Sequence, residues 1–174
     1  MYKWVLIIWL LIFSFNCGCT APQYIWPQTD MDRYEINQKT LDKKILIASR
    51  KSDFKKAVIN RIQNAFQEKP VYIKIIGIET LKTEDAKQYS AVIIINTGMS
   101  LVIDRKVEAF LNRYEGLDSV IVLTTSIGGN IQPDMEGRQI DAVSCASAQE
   151  QVTPIADEII SKINKIIGAA TSDM

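Results

Sequence analysis

The sequence predicts an α/β domain: a five-stranded parallel sheet with helices on both faces. Two observations carry this. Short apolar runs rich in β-branched residues recur at 45–48, 71–76, 91–95, 120–124 and 140–144, and strands that are apolar throughout belong in sheets covered on both sides. Amphipathic helical patterns lie between several of them, and such alternation favours parallel pairing with crossovers. A chain of 174 residues, 47% apolar and 23% charged, suits one domain with a proper core.

The N-terminal stretch comes first in the chain and reads as targeting. Lys3 precedes an apolar stretch over 5–15, too short for the roughly 20 residues that cross a bilayer and right for a signal-peptide core. The "NCGC" that follows resembles the lipobox of bacterial lipoproteins, with Gly18 before a lipidated Cys19 and Asn16 as a departure where that family prefers leucine. The resemblance implies a signal peptide over 1–18, and lipidation at Cys19 that tethers the protein to a bacterial membrane on its outer or periplasmic side. Cleavage removes Lys3 and leaves one acidic residue in excess. With Cys19 lipidated, Cys145 has no partner for a disulfide, and a buried free thiol is expected there. Residues 19–43 have mixed polarity, with Pro22 and Pro27 and no clean periodicity. They read as a tether ahead of a domain over 44–168, with a tail over 169–174.

Within the domain, the first strand ends at Ala48 and a polar loop, Ser49-Arg50-Lys51-Ser52-Asp53, leads into a helix. Phe54, Val58, Ile62 and Phe66 fall four apart, joined by Ala57 and Ala65, with Lys55, Lys56, Arg61 and Gln63 largely off that face. Asp53 is expected to cap this helix. Glu84-Asp85 after Thr83 read as a helix start rather than a carboxylate dyad. Val107, Phe110, Leu111 and Tyr114 form a second apolar stripe, and Ile155, Ile159, Ile163 and Ile166 a third, with Thr153 as N-cap, Pro154 at the first helical position and Gly168 as the stop. Between strands four and five, "TSIGGNIQPDMEGRQ" is about the minimum for a crossover, so the fourth helix is reduced.

The balance of charges excludes whole classes of function. Twenty basic residues meet twenty acidic ones, which gives nucleic acid no basic face to bind. Histidine is absent. That rules out Ser-His-Asp and Cys-His catalysis and any His-based metal site. No G-x-G-x-x-G, Walker loop or G-x-S-x-G elbow occurs. Response-regulator receivers share the topology but need acidic residues after strand one and at the end of strand three, where Ser49-Arg50 and Asn96 stand.

Over about residues 44–168 the chain resembles the flavodoxin-like family of FMN-binding domains. "AVIIINTGMSLVIDRKVEAFL" is similar to that family's third strand, flavin-covering loop and next helix, "SVIVLTTSIGG" to its fourth strand, and "IDAVSCAS" with the helix after it to its last strand and helix. The resemblance implies a flavodoxin-like three-layer sandwich, with ligands at the carboxyl ends of the strands. Such domains hold the FMN phosphate with a hydroxyl-rich S-x-T-G-x-T loop, because donors must converge on a dianion at a helix N-terminus. Here Ser49 keeps the first hydroxyl, while Lys51, Ser52 and Phe54 replace the second hydroxyl, the glycine and the last hydroxyl. The second loop, Thr97-Gly98-Met99-Ser100, lacks the aromatic that stacks on the flavin. The third offers Ser126, Gly128, Gly129 and Asn130 to a ring edge.

Two expectations follow. The first is a lipid-anchored envelope protein whose domain has lost standard FMN binding and serves as a non-catalytic ligand- or protein-binding module, with no cofactor and an envelope protein as a candidate partner. The alternative is an FMN-binding electron-transfer protein or oxidoreductase at the membrane surface. In that case Ser49, Arg50, Lys51 and Ser52 contact phosphate, and Thr97, Gly98, Met99, Ser126, Gly128, Gly129 and Asn130 contact the ring.

Overall fold

A computed structural model describes residues 28–98, 103–114, 116, 118–126 and 141–169. Six strands form one sheet: β1 (Tyr34–Ile36), β2 (Lys43–Ser49), β3 (Val71–Gly77), β4 (Ala91–Thr97), β5 (Val120–Ser126) and β6 (Asp141–Ala146). Their spatial order is β1-β3-β2-β4-β5-β6. The last five run parallel, and β1 pairs antiparallel with β3 through Tyr34 opposite Ile75 and Ile36 opposite Ile73.

The predicted parallel sheet is therefore present, with one strand more than expected. The extra strand comes from residues read as tether, because a three-residue strand is too short to register as a pattern. Asn37 ends it with φ of 64°, a left-handed backbone that asparagine tolerates, and its side-chain amide donates to the carbonyls of Val71 and Lys69.

Alternation along each strand sends side chains to two cores. On one face Ile45, Ile47, Ile73, Ile75, Ile93, Ile95, Ile121 and Leu123 meet α1 (Asp53–Phe66) and α3 (Val152–Ala169), through Phe54, Val58, Ile62, Ile155, Ile159 and Ile163. On the other, Leu46, Ala48, Ile76, Val92, Ile94, Val120 and Val122 meet α2 (Arg105–Leu111) and the 3₁₀ turn Ile78–Thr83, through Val107, Phe110, Leu111, Ile78 and Leu81. The crossover from β3 to β4 uses 3₁₀ turns in place of a long helix. Asp85 caps the second of them, and Glu84 turns back to pair with Lys74 at 2.7 Å.

Three helix-end expectations are corrected. Ser52, rather than Asp53, is the N-cap of α1, its hydroxyl accepting from the Lys55 N–H at 3.2 Å. Thr153 lies inside α3, because a 3₁₀ turn over Gln149–Gln151 runs directly into the helix and starts it a turn early. Gly168 is helical rather than a stop, since α3 continues to Ala169. The reduced fourth helix falls outside the described residues.

Candidate functional site

Parallel α/β sheets carry their ligands at the carboxyl ends of the strands. Here that edge is made by Ser49, Gly77, Thr97, Ser126 and Ala146. The loop after β2 leads into the N-terminus of α1, the geometry that suits a phosphate. Each predicted loop residue is already engaged within the chain. Ser49 is fully buried and donates its hydroxyl to the Arg50 carbonyl at 2.9 Å. Ser52 is occupied as the cap. Lys51 pairs with exposed Asp32 at 2.8 Å.

Arg50 is held most firmly. Its guanidinium donates to Asp104 at 2.7 and 3.3 Å, to Asp30 at 3.1 Å and to Glu79 at 3.4 Å. Burial works against its charge, but the Asp104 hydrogen bond and the three carboxylates outweigh that and hold its pKa above the ordinary arginine value. Asp104 also caps α2 through the Lys106 N–H and takes its own N–H onto the Asn96 side chain. Glu79 is held below the usual carboxylate range, chiefly by its hydrogen bond from Lys106.

The spacing puts Lys55 largely off the apolar face of α1, yet it is only 3% exposed. Side chains in a first helical turn tilt toward the N-terminus, and this one folds over the strand ends to donate to the Thr97 hydroxyl. Thr97 in turn donates to the Gln28 side chain at 3.0 Å. Burial, followed by the nearby Arg50 charge, pushes the Lys55 pKa down from 10.5 to about 8, against a partial pull from Asp104. No carboxylate pairs with this ammonium among the described residues.

Of the remaining predicted site residues, Gly98 donates its N–H to the Thr125 carbonyl at 2.9 Å, and Ser126 is buried at the end of β5 with its carbonyl accepting from Ser147. Met99, Gly128, Gly129 and Asn130 lie outside the described residues. Close by, the Asn96 amide nitrogen and the Thr124 hydroxyl are buried without a partner among the described residues. Sequence reasoning missed Lys55, Asp30, Glu79 and Asp104. The only available signal was the crowding of basic residues after Ser49, which requires counter-charges from somewhere.

Elsewhere, a cleft of about 610 Å³ opens at the amino end of β5 beside Tyr89, Tyr114 and Ser119. It lies away from the carboxyl edge of the sheet, and its Arg113 is committed to the carbonyls of Leu81, Lys82 and Glu84. Cys145 is a buried free thiol, pushed up to about 11 mainly by burial, with a smaller push from Glu158.

No protein-family profile and no curated protein sequence matches this chain. Solved structures do. The flavodiiron core of Flv1 from Synechocystis sp. PCC6803 superimposes with a TM-score of 0.53 at 12% identity, over 76% of this chain. A flavodoxin from the domain Archaea gives 0.50 at 11% identity, over 71% of this chain and 98% of its own. The fold is flavodoxin-like. The chain spans 38% of the Flv1 core's length, and at these identities the likeness speaks for architecture alone.

Proposed function

We propose that this flavodoxin-like domain is a non-catalytic module that binds a ligand or a protein partner at the carboxyl edge of its sheet, held at an envelope membrane by a lipid on Cys19. One observation carries this reading. All four side chains of the loop after β2 are engaged by the chain itself, with Arg50 enclosed by Asp30, Glu79 and Asp104. A phosphate dianion brought to that loop would meet three carboxylates around its strongest cation. The loop's hydroxyls do not fit the FMN phosphate as an S-x-T-G-x-T loop would.

The comparisons support the second reading, an FMN-binding electron-transfer domain, at least as well, since one neighbour that is covered almost end to end is a flavodoxin. The expectation that no cofactor binds finds no support in those neighbours. Lys55 favours the FMN reading locally: it is a buried ammonium with no carboxylate partner among the described residues, set beside Thr97. It could take over the role of a hydroxyl loop.

Titrating the protein with FMN, followed by flavin fluorescence, separates the two. The first reading expects no binding at high micromolar FMN. Stoichiometric binding that is lost in Lys55→Met would establish the second reading in its place.

A further inference from the structure

We propose that residues 28–33 form a displaceable strap across the carboxyl edge of the sheet, latched by Asp30 in a seat that Gly77 keeps open. The inference rests on the reading above only in taking that edge as the ligand site. The segment crosses the ends of β2, β3 and β4. Met31 N–H donates to the Ser49 carbonyl at 3.1 Å, and Lys51 N–H donates to the Thr29 carbonyl at 2.7 Å. Gln28 covers Thr97, and through it Lys55.

The Asp30 carboxylate fastens the strap. It accepts from Arg50, from the Ile78 N–H at 3.1 Å and from the Glu79 N–H at 2.9 Å. Gly77 is the decisive detail. Its backbone, at φ −78° and ψ 157°, is ordinary for any residue, so the conformation gives no reason for glycine. A Cβ there would collide with the Asp30 side chain. What the glycine provides is room for the latch.

The strap is built to come off while the rest stays folded. Its one deeply buried apolar side chain is Met31, and its other ties are hydrogen bonds and ion pairs that water can replace. The next residues are fixed independently, by the pairing of β1 with β3 and by Asn37. Segments with few buried apolar contacts open locally, below the cost of global unfolding. Once the strap lifts, Arg50 keeps Asp104 and Glu79, while Lys55 and Thr97 face the solvent. A ligand that reaches this edge must therefore displace the protein's own N-terminal segment.

Lysine acetylation of the folded full chain, read residue by residue by mass spectrometry, tests the latch without any ligand. In Gly77→Ala, which alters no residue of the strap, and in Asp30→Ala, Lys55 should be acetylated roughly tenfold faster or more than in the unaltered chain. Lys74, buried against Glu84 on the other face of the sheet, should keep its slow rate. An unchanged Lys55 rate in both variants overturns the latch, and so does an equal acceleration at Lys74, which would mean general loosening. If one variant fails to fold, the other decides. Faster Lys55 labelling with no FMN binding keeps the strap and removes only the flavin reading.

Discussion

Arg50 shows how one residue can be legible in kind and illegible in role. A basic side chain after the first parallel strand suggests an anion ligand, but its partners Asp30, Glu79 and Asp104 lie 20, 29 and 54 positions away. Nothing local announces them. Because the guanidinium is largely buried, Arg50→Ala leaves three carboxylates facing one another, and urea unfolding should read a loss of about 1–3 kcal/mol. Lys55 should behave oppositely. In the folded chain its proton leaves near pH 8, while in the unfolded chain it leaves near the ordinary 10.5. Between those values the unfolded state holds more protons, so this residue's penalty on stability is full below about pH 8 and fades as the pH rises toward 10.5. Lys55→Met should therefore raise stability by roughly 1–3 kcal/mol at pH 7. Paired urea titrations at pH 7 and pH 10 should find that advantage shrinking. An advantage that grows with pH would contradict the burial of the charge.

At the scale of elements, the sequence was read most reliably where a pattern repeats. Four of the five predicted strands lie wholly inside the observed ones, and the fifth, placed at 140–144, matches Asp141–Ala146 over 141–144, with 140 outside the described residues. Phe54, Val58, Ile62 and Phe66 are buried along α1 as their spacing requires. Helix ends were read less well, because Ser52 and Asp53 are both good caps and only the geometry of the first turn chooses between them. Ser52→Ala should cost about 1 kcal/mol, measured by thermal or urea melting, while Asp53→Ala should cost visibly less. Strand β1 escaped detection because three residues are too few to show a period, and Asn37, the turn residue that ends it, adds no periodic signal. Asn37→Ala forfeits both amide hydrogen bonds and puts on a left-handed backbone a residue that tolerates it less well than asparagine, so a loss of about 1–3 kcal/mol is expected. Asn37→Gly relieves the backbone and should recover part of that loss.

At the scale of the whole molecule, a lipid on Cys19, as proposed, would set the direction of the membrane relative to the strap. A lipid on Cys19 would leave nine residues to reach Gln28, a span of at most roughly 30 Å when fully extended. The carboxyl edge of the sheet, and with it the strap, would then face the bilayer at close range. The opposite edge would point away, since α3 runs back along the sheet and carries Lys165 toward the amino ends of the strands. The domain fold alone could not have given this orientation. It depends on where residues 28–33 lie against the strand ends, and a sequence without periodicity does not show that. In membranes from a bacterium expressing the full chain, a bulky amine reagent should label Lys51, at the carboxyl edge, several-fold more slowly than after detergent extraction, while Lys165 labels equally in both. Cys19→Ala should move the protein to the soluble fraction and remove the difference at Lys51. Equal labelling of Lys51 in membranes and in detergent would mean that the carboxyl edge does not face the bilayer.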